Sequence, residues 1–457
     1  MYDAQTIAAI ATPPGVSAIA IVRLSGPRAH DIARACFIPR RDATIATAKL
    51  TRGWVCDPKT GERIDDALAA FFFAPRSFTG EDLVELHVHG GLGVLLATLA
   101  VVLAAGARLA EAGEFSKRAF VNGRLDLAQA EAVADLIAAE SARAAAAAAH
   151  RLASGGAVVA ELRAELLDRL VEIEAHVDYP DEVGPPEPER LAASVATQIE
   201  RVDQMLVGAR EARALRDGVA CVIAGPPNAG KSSLLNALLQ AERAIVSDIP
   251  GTTRDIIEDR AVVDGVPVRF FDTAGLRATH DPIEAQGVSR AHQAIGAAEL
   301  VITVVDGSVP LTPDARSSIE RTATLQGILF ANKLDLGSEG SDDIGERLGT
   351  NGKLVLVAGS VRWPKTVEEI RAAIARLGWG GRAGGDRAVV ANARQIEALT
   401  RAREALAHAA ATLSAQAPCD LASPDLRDAI AAYGEVTGDT VTEEVLDGIF
   451  SRFCVGK

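Results

Sequence analysis

One stretch narrows the fold more than anything else in the chain. Val219-Ala-Cys-Val-Ile-Ala224 is a short apolar run. It leads into Gly225-Pro-Pro-Asn228-Ala229-Gly230-Lys231-Ser232-Ser233 and then into a helical pattern beginning Leu234-Leu235. Strand, G-x-x-x-x-G-K-S loop and helix, in that order, form a phosphate-binding loop. Backbone N–H groups of the loop and of the helix N-terminus surround an anion. Lys231 is placed to neutralise the β- and γ-phosphates, and the Ser232 hydroxyl to ligate Mg²⁺. A loop of this kind sits at the end of a parallel strand, so an α/β domain is expected around it.

The loop lies near the middle of 457 residues, a length that suggests about three domains. Residues 1–118 mix β-like runs, such as Ala18–Arg23, Ala67–Phe73 and Leu83–Val88, with Pro- and Gly-rich turns, and read as an α+β domain. Residues 119–215 are Ala-rich and helical in pattern, 216–380 alternate strands and helices, and 381–457 are helical again. The expected architecture is therefore multidomain, α/β and α, with a Ras-like P-loop domain inserted into a helical domain that the C-terminal segment completes.

Cys36, Cys56, Cys221, Cys419 and Cys454 are scattered, without a C-x-x-C pair, which fits reduced thiols of a cytoplasmic protein. The opening residues show no signal peptide. The uncharged run Gly90–Ala107 approaches the length of a membrane span but is rich in Ala and Gly. It is expected to be a buried helix, so no membrane partner is expected.

Three further motifs follow the loop in order. Gly251-Thr252-Thr253-Arg254-Asp255 is a polar loop whose hydroxyl and backbone groups suit Mg²⁺ and a γ-phosphate. Asp272-Thr273-Ala274-Gly275 follows Arg269-Phe-Phe271. Asn332-Lys333-Leu334-Asp335 follows Gly327–Ala331. A carboxylate at Asp335 accepts from guanine N1–H and its 2-amino group, a pair that adenine lacks, so the chain is expected to take GTP. Leu276 stands where Ras-like switches carry a water-orienting Gln, so hydrolysis needs another group. Arg254 and Arg277 are candidates to stabilise charge. Glu284 is a candidate to orient water, although on the residues alone a solvated acid at a helix start is the first reading.

At this point the sequence resembles the TrmE family of tRNA-modifying GTPases, within the TrmE-Era-EngA-like group. The likeness runs over essentially the whole chain. It is carried by Thr12-Pro-Pro-Gly15, Ile21-Val-Arg23-Leu-Ser-Gly26, Phe78-Thr-Gly-Glu81-Asp82, His89-Gly-Gly91, Gly113-Glu-Phe-Ser116 through Arg124 to Ala132, and the terminus Cys454-Val-Gly-Lys457. The resemblance implies an N-terminal folate-binding and dimerisation domain and a homodimer formed through it. It also implies a tetrahydrofolate derivative, in its 5,10-methylene or 5-formyl form, at the family's one-carbon site. Arg23, Glu81, Arg124 and Lys457 fall on folate-contacting positions, with Arg124 where members often carry Lys. Cys454 matches the C-terminal cysteine near the one-carbon chemistry.

In the G domain the resemblance implies K⁺-stimulated dimerisation of G domains. By that resemblance Asn228, Ser247, Ile249 and Thr252 fall on the K⁺-ligand positions, Ser232 and Thr253 on the Mg²⁺ positions, and Glu284 on that of the catalytic Glu. Asp248, Pro250 and Gly251 complete the loop around the nucleotide. The guanine-contacting last loop is either Ser360-Val361-Arg362 or the shifted Val357-Ala358-Gly359. The implied reaction installs an aminomethyl or carboxymethylaminomethyl group at C5 of the wobble uridine of tRNA, together with the FAD enzyme MnmG. The G domain alone fits equally a GTP-switched assembly factor, for example in ribosome biogenesis. The folate-like domain and the Cys-Val-Gly-Lys end favour modification chemistry.

The formal charge of −14 weighs against binding nucleic acid by total charge. It is unevenly spread: residues 161–203 hold 12 acids against 4 bases, and 420–447 hold 8 against 1, whereas residues 1–60 hold 8 bases against 4 acids. RNA is therefore expected away from the acidic helices, with Arg40 and Arg41 as candidate contacts.

Overall fold

The computed structural model describes residues 5–13, 15–40, 48–184, 186–240, 258–272, 298–339, 353–378, 392–415 and 417–456. The chain divides into two compact units: residues 1–134, 152–198 and 398–457 form the first, and 135–151 and 199–397 the second.

In the first unit a mixed sheet has the order β3-β4-β5-β6-β2-β1-β7. Its strands are β1 (Ile7–Ile10), β2 (Ser17–Ser25), β3 (Phe37–Pro39), β4 (Leu50–Cys56), β5 (Arg63–Phe72), β6 (Leu83–Gly90) and β7 (Arg108–Leu109). Alternation decides the faces. Ala20, Val22 and Leu24 of β2 and Val84, Leu86 and Val88 of β6 turn inward against α1 (Ala29–Cys36) and α2 (Leu92–Ala104). The opposite face carries Arg23 and Glu85, which lie in register across β2 and β6. The uncharged run after Gly90 is the helix α2, but only Leu95, Thr98 and Val102 are buried; Leu92 and Leu96 face outward. Among the described residues no helix is long and apolar enough to cross a membrane.

Beyond the sheet come α3 (Glu114–Val121), α6 (Ala157–Asp178), α12 (Ser423–Thr437) and α13 (Glu443–Phe450), with α4 (Leu127–Ala138), α5 (Ala142–Ser154), α7 (Pro188–Asp217) and α11 (Ala393–Ser414) dividing between the two units. Val159, Leu162, Leu166, Leu170 and Ile173 recur at three- and four-residue steps and give α6 one buried stripe. That helix packs against α12, whose buried Tyr433 hydroxyl donates to Gln198 Oε1 at 3.1 Å; Gln198 Nε2 donates to the Leu162 carbonyl at 3.0 Å. The helix α13 closes on Leu127 and Ala130 through Leu446 and Phe450.

A buried ion-pair network ties α3 to the sheet. Arg118, 1% exposed, donates to Glu114 at 2.8 Å, to Glu81 at 3.0 Å and to the Gln5 carbonyl at 2.9 Å. Burial works against charge on Glu114, but hydrogen bonds from Arg108, the Glu111 N–H and Arg118 outweigh it and hold its carboxyl down at about 2. A lowered carboxylate stabilises the fold fully above its unfolded value of 4.5 and loses that contribution as pH falls towards 2. Denaturant titrations of wild type should therefore show a loss of stability between about pH 4.5 and 2 that is reduced in Glu114→Gln. Equal pH dependence in the two proteins would remove Glu114 from the account.

The second unit holds a sheet of order β13-β12-β11-β8-β10-β9. It comprises β8 (Val219–Ala224), β9 (Glu258–Val263), β10 (Val266–Asp272), β11 (Leu300–Asp306), β12 (Gly327–Asn332) and β13 (Leu354–Ala358). All neighbours pair in parallel except the β9–β10 hairpin. Parallel strands covered on both faces read as continuous apolar runs, and β8 and β12 are buried throughout. The helices α8 (Lys231–Gln240) and α10 (Pro364–Gly378) cover one face, and α9 (Pro313–Thr322) the other.

Candidate nucleotide site and C-terminal site

In the second unit, β8 delivers the chain at its carboxyl end to Gly225, and α8 takes over at Lys231. The loop between them uses positive φ at Gly225 (140°), Asn228 (61°) and Gly230 (101°). A Cβ on Gly225 would lie 2.1 Å from the Val304 carbonyl oxygen, and one on Gly230 would lie 2.2 Å from Asn332 Nδ2. Both glycines are thus required by backbone shape and by close approach. Lys231 Nζ donates to the Gly225 and Pro226 carbonyls at 3.0 and 2.8 Å, which curls the ammonium over the loop. Ala229 is buried, while Asn228, Ser232 and Ser233 are exposed at the mouth. Asp272 ends β10 level with Ile223, beside the start of this loop. An ammonium, exposed hydroxyls and a helix N-terminus converging on one mouth fit a nucleotide triphosphate with its Mg²⁺.

Asn332 joins three loops. Its side chain, 1% exposed, donates from Nδ2 to the Ala229 carbonyl at 2.8 Å and accepts at Oδ1 from Val361 N–H at 3.0 Å. Ser360-Val361-Arg362 is therefore the segment held beside Asn332, and Val357-Ala358 belongs to β13. Lys333 adopts φ 67° and donates to Asp306 Oδ2 at 2.7 Å. Burial opposes the charge on Asp306, but Lys333 and Ser308 overcome it and keep the carboxyl below its ordinary range. Asp335 carries its carboxylate beside Arg362, whose Nη1 lies 3.4 Å away. Ser247, Asp248, Ile249, Pro250, Gly251, Thr252, Thr253, Thr273, Ala274, Gly275 and Glu284 lie outside the described residues, as do Arg254, Leu276 and Arg277.

The first unit brings together most of the other group. Residues 77–82 form its centre. Glu81 accepts from Ser25 Oγ at 2.8 Å and from Arg118, Arg124 Nε donates to the Ser77 carbonyl at 3.2 Å, and the Arg23 guanidinium lies 5.7 Å from the Phe78 ring. Arg23 also lies 5.7 Å from the Phe115 ring, donates to Glu85 Oε1 from Nε (3.0 Å) and Nη2 (2.7 Å), and reaches the Gly456 carbonyl at 3.3 Å.

The C-terminal segment is seated here. Val455 bridges Ala112, Gly113 N–H meets the Cys454 carbonyl at 3.4 Å, and Gly456 is buried with φ 100°. Cys454 itself is exposed. Lys457 lies outside the described residues. Sequence reasoning missed Glu85, His87 and Arg118. His87 Nε2 lies 3.3 Å from Glu85 Oε2, and that contact, followed by Arg23, holds the Glu85 carboxyl below its usual value. The signal was available in the alternation Glu85-Leu-His87, which puts both residues on the face that carries Arg23.

Comparison with known proteins gives a consistent picture. The family described as the MnmE helical domain matches residues 127–454, and the family described as the GTP-binding protein TrmE N-terminus matches residues 6–124. A curated protein named tRNA modification GTPase MnmE from Symbiobacterium thermophilum is 45% identical over 461 residues, covering 99% of each chain. One of the same name from Chloroflexus aurantiacus is 45% identical over 459 residues, covering 99% of this chain and 100% of its own. Another, from Moorella thermoacetica, is 43% identical and covers 99% of each.

Proposed function

The chain belongs to the MnmE family of tRNA modification GTPases and is a P-loop GTPase, and on that premise we propose that it modifies the wobble uridine of certain tRNAs at C5. It acts in the cytoplasm as a homodimer joined through the N-terminal domain, with the FAD-dependent enzyme MnmG as partner. The group installed is aminomethyl or carboxymethylaminomethyl. A tetrahydrofolate derivative, when bound, supplies its one-carbon unit. The observation that carries this reading is the seat of the C-terminal segment. Arg23, whose guanidinium also lies 5.7 Å from the Phe78 ring, and Gly113 hold the Cys454–Gly456 backbone in place. A tail serving no purpose would fray instead.

Glu81 is an acceptor fixed by Ser25 and Arg118, suited to N–H donors of a pterin edge. Arg23, Arg124 and Lys457 supply the positive charge that a folate tail of carboxylates calls for. Asn228 offers an amide oxygen suited to K⁺, with Ser247, Ile249 and Thr252 as its companions. Ser232 and Thr253 would hold Mg²⁺, Asp272 would support it, and Glu284 would orient the attacking water. The reading of an assembly factor without modification chemistry gives no role to the seated tail.

Mass spectrometry of tRNA from cells lacking this chain tests the proposal: the C5-substituted wobble uridine should disappear and return with the gene. Unchanged nucleosides would leave only the GTPase. For the ion, GTP turnover should be roughly tenfold or more faster in K⁺ than in equal Na⁺, since the monovalent ion replaces a transition-state stabiliser. Equal rates would remove the K⁺ assignment.

A further inference from the structure

A protein that acts on tRNA must present a surface to a polyanion, yet most of this chain is acidic. The two helical segments described above are strongly so, and residues 216–380 hold 21 acids against 17 bases. Residues 1–60 run the other way. Within the first unit the structure sets two of these bases, Arg40 and Arg52, beside Arg63 on the face of β3, β4 and β5 that carries Trp54.

Arg63 lies over the Trp54 ring with its guanidinium 4.6 Å from the centroid, and Arg40 does so at 5.4 Å. Arg52, two residues before Trp54 and on the same face, is 59% exposed and donates to Asp66 at 2.6 Å; Arg40 donates to the same carboxylate at 2.8 Å. Two guanidinium groups, Arg40 and Arg52, thus share one acid, Asp66, which stands opposite Trp54 in register, while Arg63 is held by the ring alone among the contacts described. Exposed edge strands are commonly guarded by charge, but such guards belong on the edge strand itself. Arg52 and Arg63 sit on the second and third strands, where an edge guard has no use. Guanidinium planes held by an aromatic ring are pre-organised for phosphate, and the face carries more positive charge than its own acid neutralises.

We propose that this face, with Arg40, Arg52 and Arg63 set around Trp54, receives the phosphate backbone of tRNA. The proposal rests on the tRNA reading above and names the surface for it. The contacts are to phosphate, so they position the RNA and carry no sequence preference.

The test is fluorescence anisotropy of fluorescein-labelled unmodified tRNA against full-length protein across a KCl series, with GTP turnover as the control for folding. Arg52→Glu combined with Arg63→Glu should weaken binding about tenfold and reduce the slope of log affinity against log salt by roughly two, with GTP turnover unchanged. Asp66→Asn, which removes the shared acid, should tighten binding about twofold. Tight wild-type binding with the same affinity and slope in all variants would overturn the surface alone. So would variants that keep RNA binding but change mass in light scattering, since the face would then hold protein. A wild type that does not bind tRNA would remove the tRNA reading itself, and this surface with it.

Discussion

Asp335→Asn is expected to lose GTP affinity by roughly two orders of magnitude and to gain xanthosine triphosphate as a ligand. The Asp335 carboxylate is acceptor-only and stands beside Arg362. Guanine offers N1–H and a 2-amino group to such a carboxylate. Two charge-assisted bonds at about 1.5–3 kcal/mol each account for a loss of that order. Asparagine keeps one acceptor and replaces the other with an N–H donor. Xanthine carries a carbonyl where guanine carries the amine, so the altered pair matches it. Isothermal titration with both nucleotides gives the answer. The pocket around the substitution is braced independently: Asn332 ties it to Ala229 and Val361, and Lys333 to Asp306. A fold defect would therefore weaken both nucleotides together. Unchanged GTP affinity would mean that another group reads the base.

The nucleotide site was readable in the sequence because its information is local. Gly225 and Gly230 need positive φ whatever surrounds them, and Lys231 follows at a fixed step into the helix. The strands β8 and β12 announced a covered parallel sheet because both faces are apolar. The last loop was less legible. Whether Ser360 or Val357 begins it depends on the bond from Val361 N–H to Asn332, which joins residues 29 positions apart. The grouping of Arg23, Glu81 and Arg124 in the first unit was expected only through resemblance. Its central contact joins Arg23 to Gly456 across 433 positions, and no periodicity carries that distance. Glu85 and His87 alternate like any half-buried strand and identify themselves only once Arg23 is seen in register beside them. The helix α2 misled in the opposite direction: an uncharged run suggests full burial, but its Leu92 and Leu96 remain outside.

The C-terminal segment yields the other large effect. Gly456→Val should reduce wobble-uridine modification by roughly a hundredfold, as expected when a reacting group is displaced by about an ångström. It should leave GTP binding and turnover at wild-type values. The reason lies in the backbone. Gly456 adopts φ 100°, and a Cβ there would lie 2.3 Å from the Ile10 carbonyl oxygen, a backbone atom that cannot turn aside. The segment must lift, which breaks the bond from Arg23 Nη1 to the Gly456 carbonyl and loosens the bridge of Val455 to Ala112. Removing residues 454–457 should act in the same way, and more completely. A second readout separates displacement from simple loss of the thiol. Cys36, Cys56 and Cys221 are buried, and Cys454 is exposed. Maleimide labelling at position 454 should therefore be faster in Gly456→Val than in wild type, because the segment no longer lies against the sheet. Arg23→Lys, which keeps the charge but loses the fork shared between Glu85 and Gly456, should show the same faster labelling with a smaller loss of modification. Full modification by Gly456→Val, with unchanged labelling, would mean that the seat of this segment has no part in the chemistry.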